Sequence, residues 1–394
     1  MMKDRIGAVA FSACVAALVS ACSILPAAGP SSEDINSGQT GSGPEHVIVR
    51  LNPDVVSAVA DYGQPSFVGA FADRRPPPDI LFGVGDVVTI TIFEAAAGGL
   101  FIPAEAGTRP GNFVTLPNEP IDSAGNISVP YAGAVKAAGR TQGQVQKEIV
   151  DALKNRAIEP QVVVALATQN TSLISVLGEV NTPNRFAAFP AGEHLLDAIT
   201  RAGGIKGQGW DTVVEMERDG KRAIAPFASL VYDPRNNIWA HPNDTIYVFR
   251  EPQTFLAFGA AGQQGQFAFD DWKISLAEAV GKAGGLLDVQ ADPASVYVYR
   301  REPKDLVAKL GVDVSSFAGP TVPVIYSVNF RDGGGYFLAT KFEMRDKDVL
   351  FAANAPSVEM TKFLSFLNTV NTTVYNGVLT ASELQTLRLQ IAHH

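Results

Sequence analysis

Two glycine-rich runs are the features of this sequence that come nearest to a site for phosphate chemistry. They span residues 203–209 and 259–265, and glycines at such spacings occur in loops whose backbone N–H groups cradle phosphates. Neither run ends in the Lys-Ser/Thr pair that reaches the phosphates and a metal, and the second fits a hairpin turn rather than a helix start. Both runs therefore predict tight turns, not a nucleotide site.

The ionisable side chains show no catalytic or metal-binding pattern. The acidic pairs Asp270-Asp271 and Glu215/Glu217 suggest glycosidase chemistry, which needs two carboxylates about 5–10 Å apart, but no motif singles them out from solvated turns and strand faces. Arg300-Arg301 at a strand end predicts a surface or subunit contact. The histidines lack ligand spacing with cysteines or carboxylates; they are His46, His194, His241, His393 and His394. We predict no catalytic residue, metal or cofactor, and hence a protein that is not an enzyme.

The N-terminus points instead to covalent lipid attachment. A basic start and an apolar stretch from Ile6 to Val19 describe a secretory signal peptide over residues 1–21. The following Ser20-Ala21-Cys22 resembles the bacterial lipobox, which implies cleavage between Ala21 and Cys22 and acylation of Cys22, with palmitate among the chains. The alternative is an ordinary signal peptide with a chance cysteine. Ser23 resembles the residue that follows the cysteine in outer-membrane lipoproteins.

Composition narrows the fold class. Of the two cysteines, Cys14 would leave with the signal, so disulfides and cysteine-based metal sites are excluded. With 18% charged residues, 36 glycines and 25 prolines, the chain favours a β-rich, turn-rich α+β fold of several domains. The net charge of −9 argues against binding nucleic acid. No apolar stretch of about 18 residues follows the signal, so no conventional membrane helix is expected.

Residues 22–78 predict an extended leader because they are rich in Ser, Gly, Pro and Asp. Order then starts with a strand at residues 88–92, where apolar residues alternate with threonines. A hairpin follows near residues 121–130, and Thr141-Gln142-Gly143-Gln144 fits a capping box that opens a helix. Pro160 ends that segment before a closing strand at residues 161–168.

This order of elements resembles the polysaccharide export domain of outer-membrane exporters. The motif comprises Gly85-Asp86 before a strand, then Asp122, Gly125 and Pro130 in the hairpin. The resemblance implies an export domain over residues 79–170.

An internal repeat follows. Residues 174–205 align without a gap with residues 255–286, at an offset of 81. Gly178 pairs with Gly259, and the paired glycines at 203–204 match those at 284–285. Each unit predicts two strands and a short helix, then an acidic turn before a final strand. The pattern resembles the soluble-ligand-binding β-grasp (SLBB) domain, twice in tandem, over residues 171–252 and 253–356.

The C-terminal segment predicts an amphipathic helix over residues 357–379. At 100° per residue, large apolar side chains fall within an arc of about 140° and hydroxyl and amide side chains lie opposite. The expected lipid face comprises Met360, Phe363, Leu364, Leu367, Val370, Val374 and Val378; the expected pore face comprises Thr361, Ser365, Thr369, Thr372 and Asn376. A helix packed on its own protein or on the membrane surface is the alternative. Residues 380–394 predict a separate short helix or tail.

Taken together, these features resemble the capsular polysaccharide export family of Gram-negative bacteria, in the branch driven by an ABC transporter. The resemblance implies a homo-oligomeric, octameric ring that is lipid-anchored in the outer membrane, with most of the chain in the periplasm and the terminal helices forming a channel. It also implies docking onto an inner-membrane co-polymerase. The alternative function is a glycan-binding outer-membrane adaptor without a pore.

Overall fold

The computed structural model describes most of the chain as two compact units. It covers residues 29–37, 45–62, 65–71, 75–77, 79–96, 99–102 and 113–358, and also Met360, Thr361, Leu364, Ser365, Asn368, Thr369 and Thr372. The described residues within 64–252 form the central unit, and those within 1–63 and 253–394 form the terminal unit. Both units mix short helices with sheets, which confirms the α+β fold.

The N-terminal part of the chain contributes elements to both units. Its elements are α1 (Ser32–Asn36), β1 (Val47–Arg50), α2 (Pro53–Asp61) and α3 (Phe67–Ala70). Asn52 caps α2 and Pro53 occupies its first position. This arrangement favours helix initiation, because the Asn52 side chain satisfies a free backbone N–H group and proline already has a helical φ. Residues 47–61, predicted to belong to an extended leader, are therefore folded. The reason is tertiary, because β1 pairs in parallel with a strand at residues 321–328.

The first domain of the central unit is built around one strand. Its elements are β2 (Val87–Phe93), β3 (Phe113–Thr115), β4 (Glu119–Pro120), β5 (Asn126–Val129), β6 (Gly133–Lys136), α4 (Gln142–Leu153) and β7 (Gln161–Thr168). Strand β2 pairs antiparallel with β3, β4 and β7. Val88, Ile90 and Ile92 are fully buried, as the alternation predicts. The Thr141/Gln144 capping box is confirmed.

The first repeat completes the central unit. It consists of β8 (Leu173–Gly178), β9 (Asn184–Ala187), β10 (Glu193–His194), α5 (Leu195–Arg201), β11 (Thr212–Arg218), β12 (Lys221–Pro226), α6 (Phe227–Tyr232), β13 (Trp239–Ala240) and β14 (Thr245–Arg250). The main sheet has the order β12-β11-β14-β8-β9, with β8 and β14 parallel.

The second repeat has the same sheet with one strand added. It consists of β15 (Thr254–Gly259), β16 (Gly265–Ala268), α7 (Leu276–Lys282), β17 (Ala291–Pro303), α8 (Lys304–Lys309), β18 (Thr321–Val328), α9 (Gly333–Lys341) and β19 (Val349–Asn354). The order is β1-β18-β17-β19-β15-β16, so β1 extends the edge that corresponds to β12.

One glycine occurs at the same position in both repeats, Gly178 in the first and Gly259 in the second, and the backbone geometry requires it. Gly178 and Gly259 have φ of +90° and +79°. A Cβ on Gly178 would lie 2.0 Å from the carbonyl oxygen of Val248, and one on Gly259 would lie 2.1 Å from that of Ala352. Only glycine therefore lets these strands approach their parallel neighbours. The paired glycines at 203–204 and 284–285 all have positive φ and end their helices, as predicted.

Candidate functional site

An aspartate turn occurs three times, once per domain, directly before a central strand. Asp86, Asp244 and Asp348 precede β2, β14 and β19. Each carboxylate accepts a hydrogen bond from the backbone N–H three residues earlier, at 2.8, 2.7 and 2.8 Å. The residue before each aspartate has positive φ: +92° at Gly85, +69° at Asn243 and +66° at Lys347. The acidic turns noted in the sequence are thus one recurring device that starts a strand.

Asp86 also fastens the first repeat to the domain before it. Its fully buried carboxylate accepts hydrogen bonds from the N–H groups of Asn170 and Thr171, both at 2.8 Å, and from the Thr171 hydroxyl at 2.8 Å. All the donors are neutral and fixed, and no space remains for a reacting molecule. The carboxylate is therefore an anchor for the chain between β7 and β8.

The other export-motif residues lie around the hairpin. Gly85 N–H donates to the Ile121 carbonyl at 2.9 Å, which brings Asp122 beside the Gly85-Asp86 turn. Asp122 Oδ1 in turn accepts from Asn126 N–H at 2.8 Å, and Gly125 takes φ of +81°. Pro130 is exposed at the far end of β5. These contacts form turns, and they do not form a cluster of reactive groups.

The second repeat contains a buried charge network around Arg300, for which a surface or subunit contact was predicted together with Arg301. The Arg300 side chain is 4% exposed and binds Asp348 through two nitrogens, at 2.8 and 2.6 Å. Burial would lower the pKa of Arg300, but the charges of Asp348 and Glu302 outweigh burial and raise it. The expected surface role of Arg300 is wrong because Asp348, 48 residues later, lies opposite it across the paired strands.

Glu302 extends this network to the N-terminal segment. It accepts hydrogen bonds from the Tyr326 hydroxyl at 3.0 Å and from Arg345 at 2.8 Å. Arg345 also donates to the Val59 carbonyl of α2 at 2.9 Å. Burial and the Glu302 charge raise the pKa of Tyr326. The corresponding ion pair in the first repeat is Arg218 with Asp244, in which two Arg218 nitrogens donate to the carboxylate at 2.9 and 2.6 Å.

The outer faces of the two sheets, opposite the helices of each core, differ in exposure. In the second repeat Tyr297 and Phe351 are 1% and 6% exposed because Ile35 of α1 packs on them. At the matching positions the first repeat has Glu215 and Tyr247, and Tyr247 is 46% exposed. The sequence prediction that Glu215 and Glu217 lie on a strand face agrees with this arrangement.

Two shallow cavities in the central unit were not anticipated from the sequence. One of about 300 Å³ lies beside His194 and Trp239, whose rings stack with centroids 3.9 Å apart. The other, of about 310 Å³, lies between Asp79, Arg218 and His241. No local motif marks either cavity, because residues distant in sequence form both.

The C-terminal segment is helical at every described position from residue 356 to 372. The hydroxyls of Thr361, Thr369 and Thr372 donate to carbonyls four residues earlier, at 2.8–2.9 Å. Met360 and Leu364 are 59% and 54% exposed. The predicted positions Phe363, Leu367, Val370, Val374, Asn376 and Val378 lie outside the described residues, as do Ala21, Cys22 and residues 380–394. Within the part of the chain that the structure describes, no helix has both the length and the apolar character to cross a membrane.

Comparison with known proteins decides the family. Residues 74–167 match the model of the polysaccharide biosynthesis/export protein family, and residues 173–224 match the SLBB domain model. The chain is 32% identical over 369 residues to the capsule polysaccharide export protein BexD of Haemophilus influenzae. The aligned residues cover 90% of this chain and 93% of BexD. The chain belongs to the polysaccharide export family.

Other members extend the match. The capsule polysaccharide export outer membrane protein CtrA of Neisseria meningitidis is 32% identical over 376 residues, which cover 92% of this chain and 95% of CtrA. The Vi polysaccharide export protein of Salmonella typhi is 26% identical over 292 residues, or 72% of this chain. The names of these relatives describe them as polysaccharide export proteins. The resemblance identified from the motifs is confirmed, and nearly the whole length of BexD and CtrA is represented here.

Proposed function

We propose that this chain forms an oligomeric outer-membrane channel through which a capsular polysaccharide leaves the periplasm. The single observation that carries the proposal is the similarity to capsule export proteins along nearly their whole length. The turns and charge networks described above supply folding and anchoring, so they suit a scaffold better than a catalyst.

The C-terminal helices would form the membrane passage. About 23 residues at 1.5 Å each give a helix of about 34 Å, enough to cross a bilayer core. A single copy would expose its Thr/Ser/Asn face to hydrocarbon at high cost, whereas a closed ring turns that face towards water. Thr361, Ser365, Thr369, Thr372 and Asn376 would line the passage, and the apolar arc from Met360 to Val378 would face lipid.

The remaining assignments follow from the proposed route. Acylation at Cys22 would hold the chain at the outer membrane, since each buried methylene contributes about 0.8 kcal/mol and several acyl chains anchor stably. A ring made by head-to-tail contacts is a closed assembly, and eight copies are the proposed number. The driving energy would come from an ABC transporter through an inner-membrane co-polymerase docked on the ring.

Cysteine labelling tests the passage. With Cys22 acylated, single cysteines at Ser365 or Thr369 would be the only free thiols in the mature chain. In encapsulated cells we expect S365C and T369C to react with a membrane-impermeant maleimide and to lose export after the reaction. The matched control L364C should stay unreactive and keep exporting. If neither S365C nor T369C reacts, the channel proposal fails.

A glycan-binding adaptor without a pore is the second candidate, and the stacked His194–Trp239 pair supports it because aromatic faces suit sugar rings. Deleting residues 357–394 separates the two functions. The channel proposal predicts that export is abolished. The adaptor predicts that the deleted chain still co-precipitates polysaccharide and that H194A/W239A abolishes this capture.

A further inference from the structure

Three large apolar side chains of the second repeat are unusually exposed. Val289 is 81% exposed, Phe337 is 75% exposed and Tyr336 is 56% exposed. Single exposed apolar residues are common on protein surfaces and need no explanation. These three are different because all of them lie at one end of one sheet.

Backbone contacts fix their position at that end. Val289 precedes the start of β17, and the end of β18 is tied to the same place because Phe330 N–H donates to the Pro293 carbonyl at 2.7 Å. The Tyr336 ring packs edge-on against Phe330, with centroids 4.9 Å apart. A Cβ on Gly335 would lie 1.8 Å from the Asn329 carbonyl oxygen, so a glycine lets the start of α9 approach this end closely.

The C-terminal helix begins at the same end of the sheet. Strand β19 finishes at Asn354, and Ala355 N–H then donates to the Gln290 carbonyl at 2.8 Å, one residue after Val289. Residues 356–358 are already helical. The exposed side chains therefore lie around the point where the chain enters its terminal helix.

We infer that Val289, Tyr336 and Phe337 rest on the phospholipid surface of the membrane that the terminal helix crosses. The inference rests on the proposed function, because a crossing helix places its first turns at one membrane–water interface. Tyrosine and other amphipathic aromatics favour this layer, where one end of the ring is apolar and the other is wet.

The charges around this surface indicate which lipid would suffice. Asp288 and Asp332 are exposed, and Arg331 is paired with Asp292 at 3.1 Å. These residues supply no surplus of positive charge that would attract anionic headgroups. Contact should therefore depend on apolar and aromatic area, and zwitterionic phospholipid should be enough.

Spin labelling of the full-length chain in phosphatidylcholine vesicles tests the inference. For each nitroxide, the ratio of its collision rate with oxygen to that with a water-soluble nickel chelate is measured. This ratio should be at least about threefold higher at V289C and F337C than at S316C. Ser316 is an exposed control in the same unit, near the opposite sheet end where β17 finishes and β18 begins. Labels at such exposed positions should leave folding intact.

A label at L364C reports on the proposed function separately. If L364C lies in lipid while V289C and F337C are as wet as S316C, the inference is overturned and the channel survives. If V289C and F337C are shielded from both relaxing agents, protein covers them and the inference again fails. If L364C itself is wet, the channel proposal fails.

Discussion

In the second repeat, the outer face of the sheet is buried beneath Ile35 of α1, whereas the matching face of the first repeat is open to solvent. Tyr297 and Phe351 in one copy correspond to Glu215 and Tyr247 in the other. The inward positions stay apolar in both, as Val296 and Val298 match Val214 and Met216. The core and the close-approach glycines therefore define the β-grasp fold, and the outer face is free to take a different role in each copy.

The aromatic residues at the matching positions should give the largest contrast. Phe351→Ala removes a buried ring beneath α1, so the free energy of unfolding of the terminal unit should fall by about 3–5 kcal/mol. Tyr247→Ala should change that of the central unit by less than about 0.5 kcal/mol. Urea unfolding of the purified chain measures both. Equal losses would mean that the first-repeat face is also covered.

Replacement of Arg300 in the second repeat should cause the next largest loss of stability. Arg300→Met leaves Asp348 buried without its partner, so the terminal unit should lose about 3 kcal/mol of unfolding free energy. Arg301→Met changes a neighbouring exposed arginine and should cost less than about 0.5 kcal/mol. Thermal melting of both variants checks this, and similar melting temperatures would contradict the buried network.

Alanine substitutions at Gly178 and Gly259 test a feature that the two repeats share, the close approach of parallel strands. Gly178→Ala and Gly259→Ala should each cost about 2–3 kcal/mol, because each adds a backbone clash to an unfavourable positive φ. Gly220→Ala, at φ +75° with open space around it, should cost about 1 kcal/mol. Denaturant midpoints give the comparison. A cost at Gly178 no greater than at Gly220 would refute the close-approach explanation.

The smallest effect concerns Tyr299 on the covered face. Burial, together with the neighbouring Tyr297, raises the pKa of Tyr299 to about 12, against about 10 for an unfolded tyrosine. The unfolded chain therefore loses this proton first, and the associated stability is present below pH 10 and lost as the pH rises from about 10 to 12. Tyr299→Phe should flatten that decline in melting temperature. An unchanged alkaline decline would contradict the prediction.

Local patterns predicted much of this fold from the sequence. The alternation at residues 88–92, the Thr141 capping box and the repeat glycines depend on neighbouring residues, and the structure confirms them. The strand β1 was missed, although Val47-Ile48-Val49 and the Asn52-Pro53 cap were visible signals. Its partner β18 lies more than 270 residues away, and no periodicity reports such pairing.

The features of the candidate sites also fall into two groups, those that local sequence predicts and those that depend on distant residues. Gly85-Asp86 was recognised as a motif, but its anchoring of Thr171 required the folded chain. The burial of Arg300 depends on Asp348 across two strands, and the cavity beside His194 depends on Trp239 from a distant strand. Distant residues create both features, so neither follows from local sequence.

Direct imaging of the assembly tests the central claim of a multi-copy channel. Full-length chain should be extracted from outer membranes in mild detergent and viewed end-on by electron microscopy. We predict closed rings with a central opening, and eight-fold symmetry in the averaged images. Particles that contain a single copy of the intact full-length chain would contradict the channel.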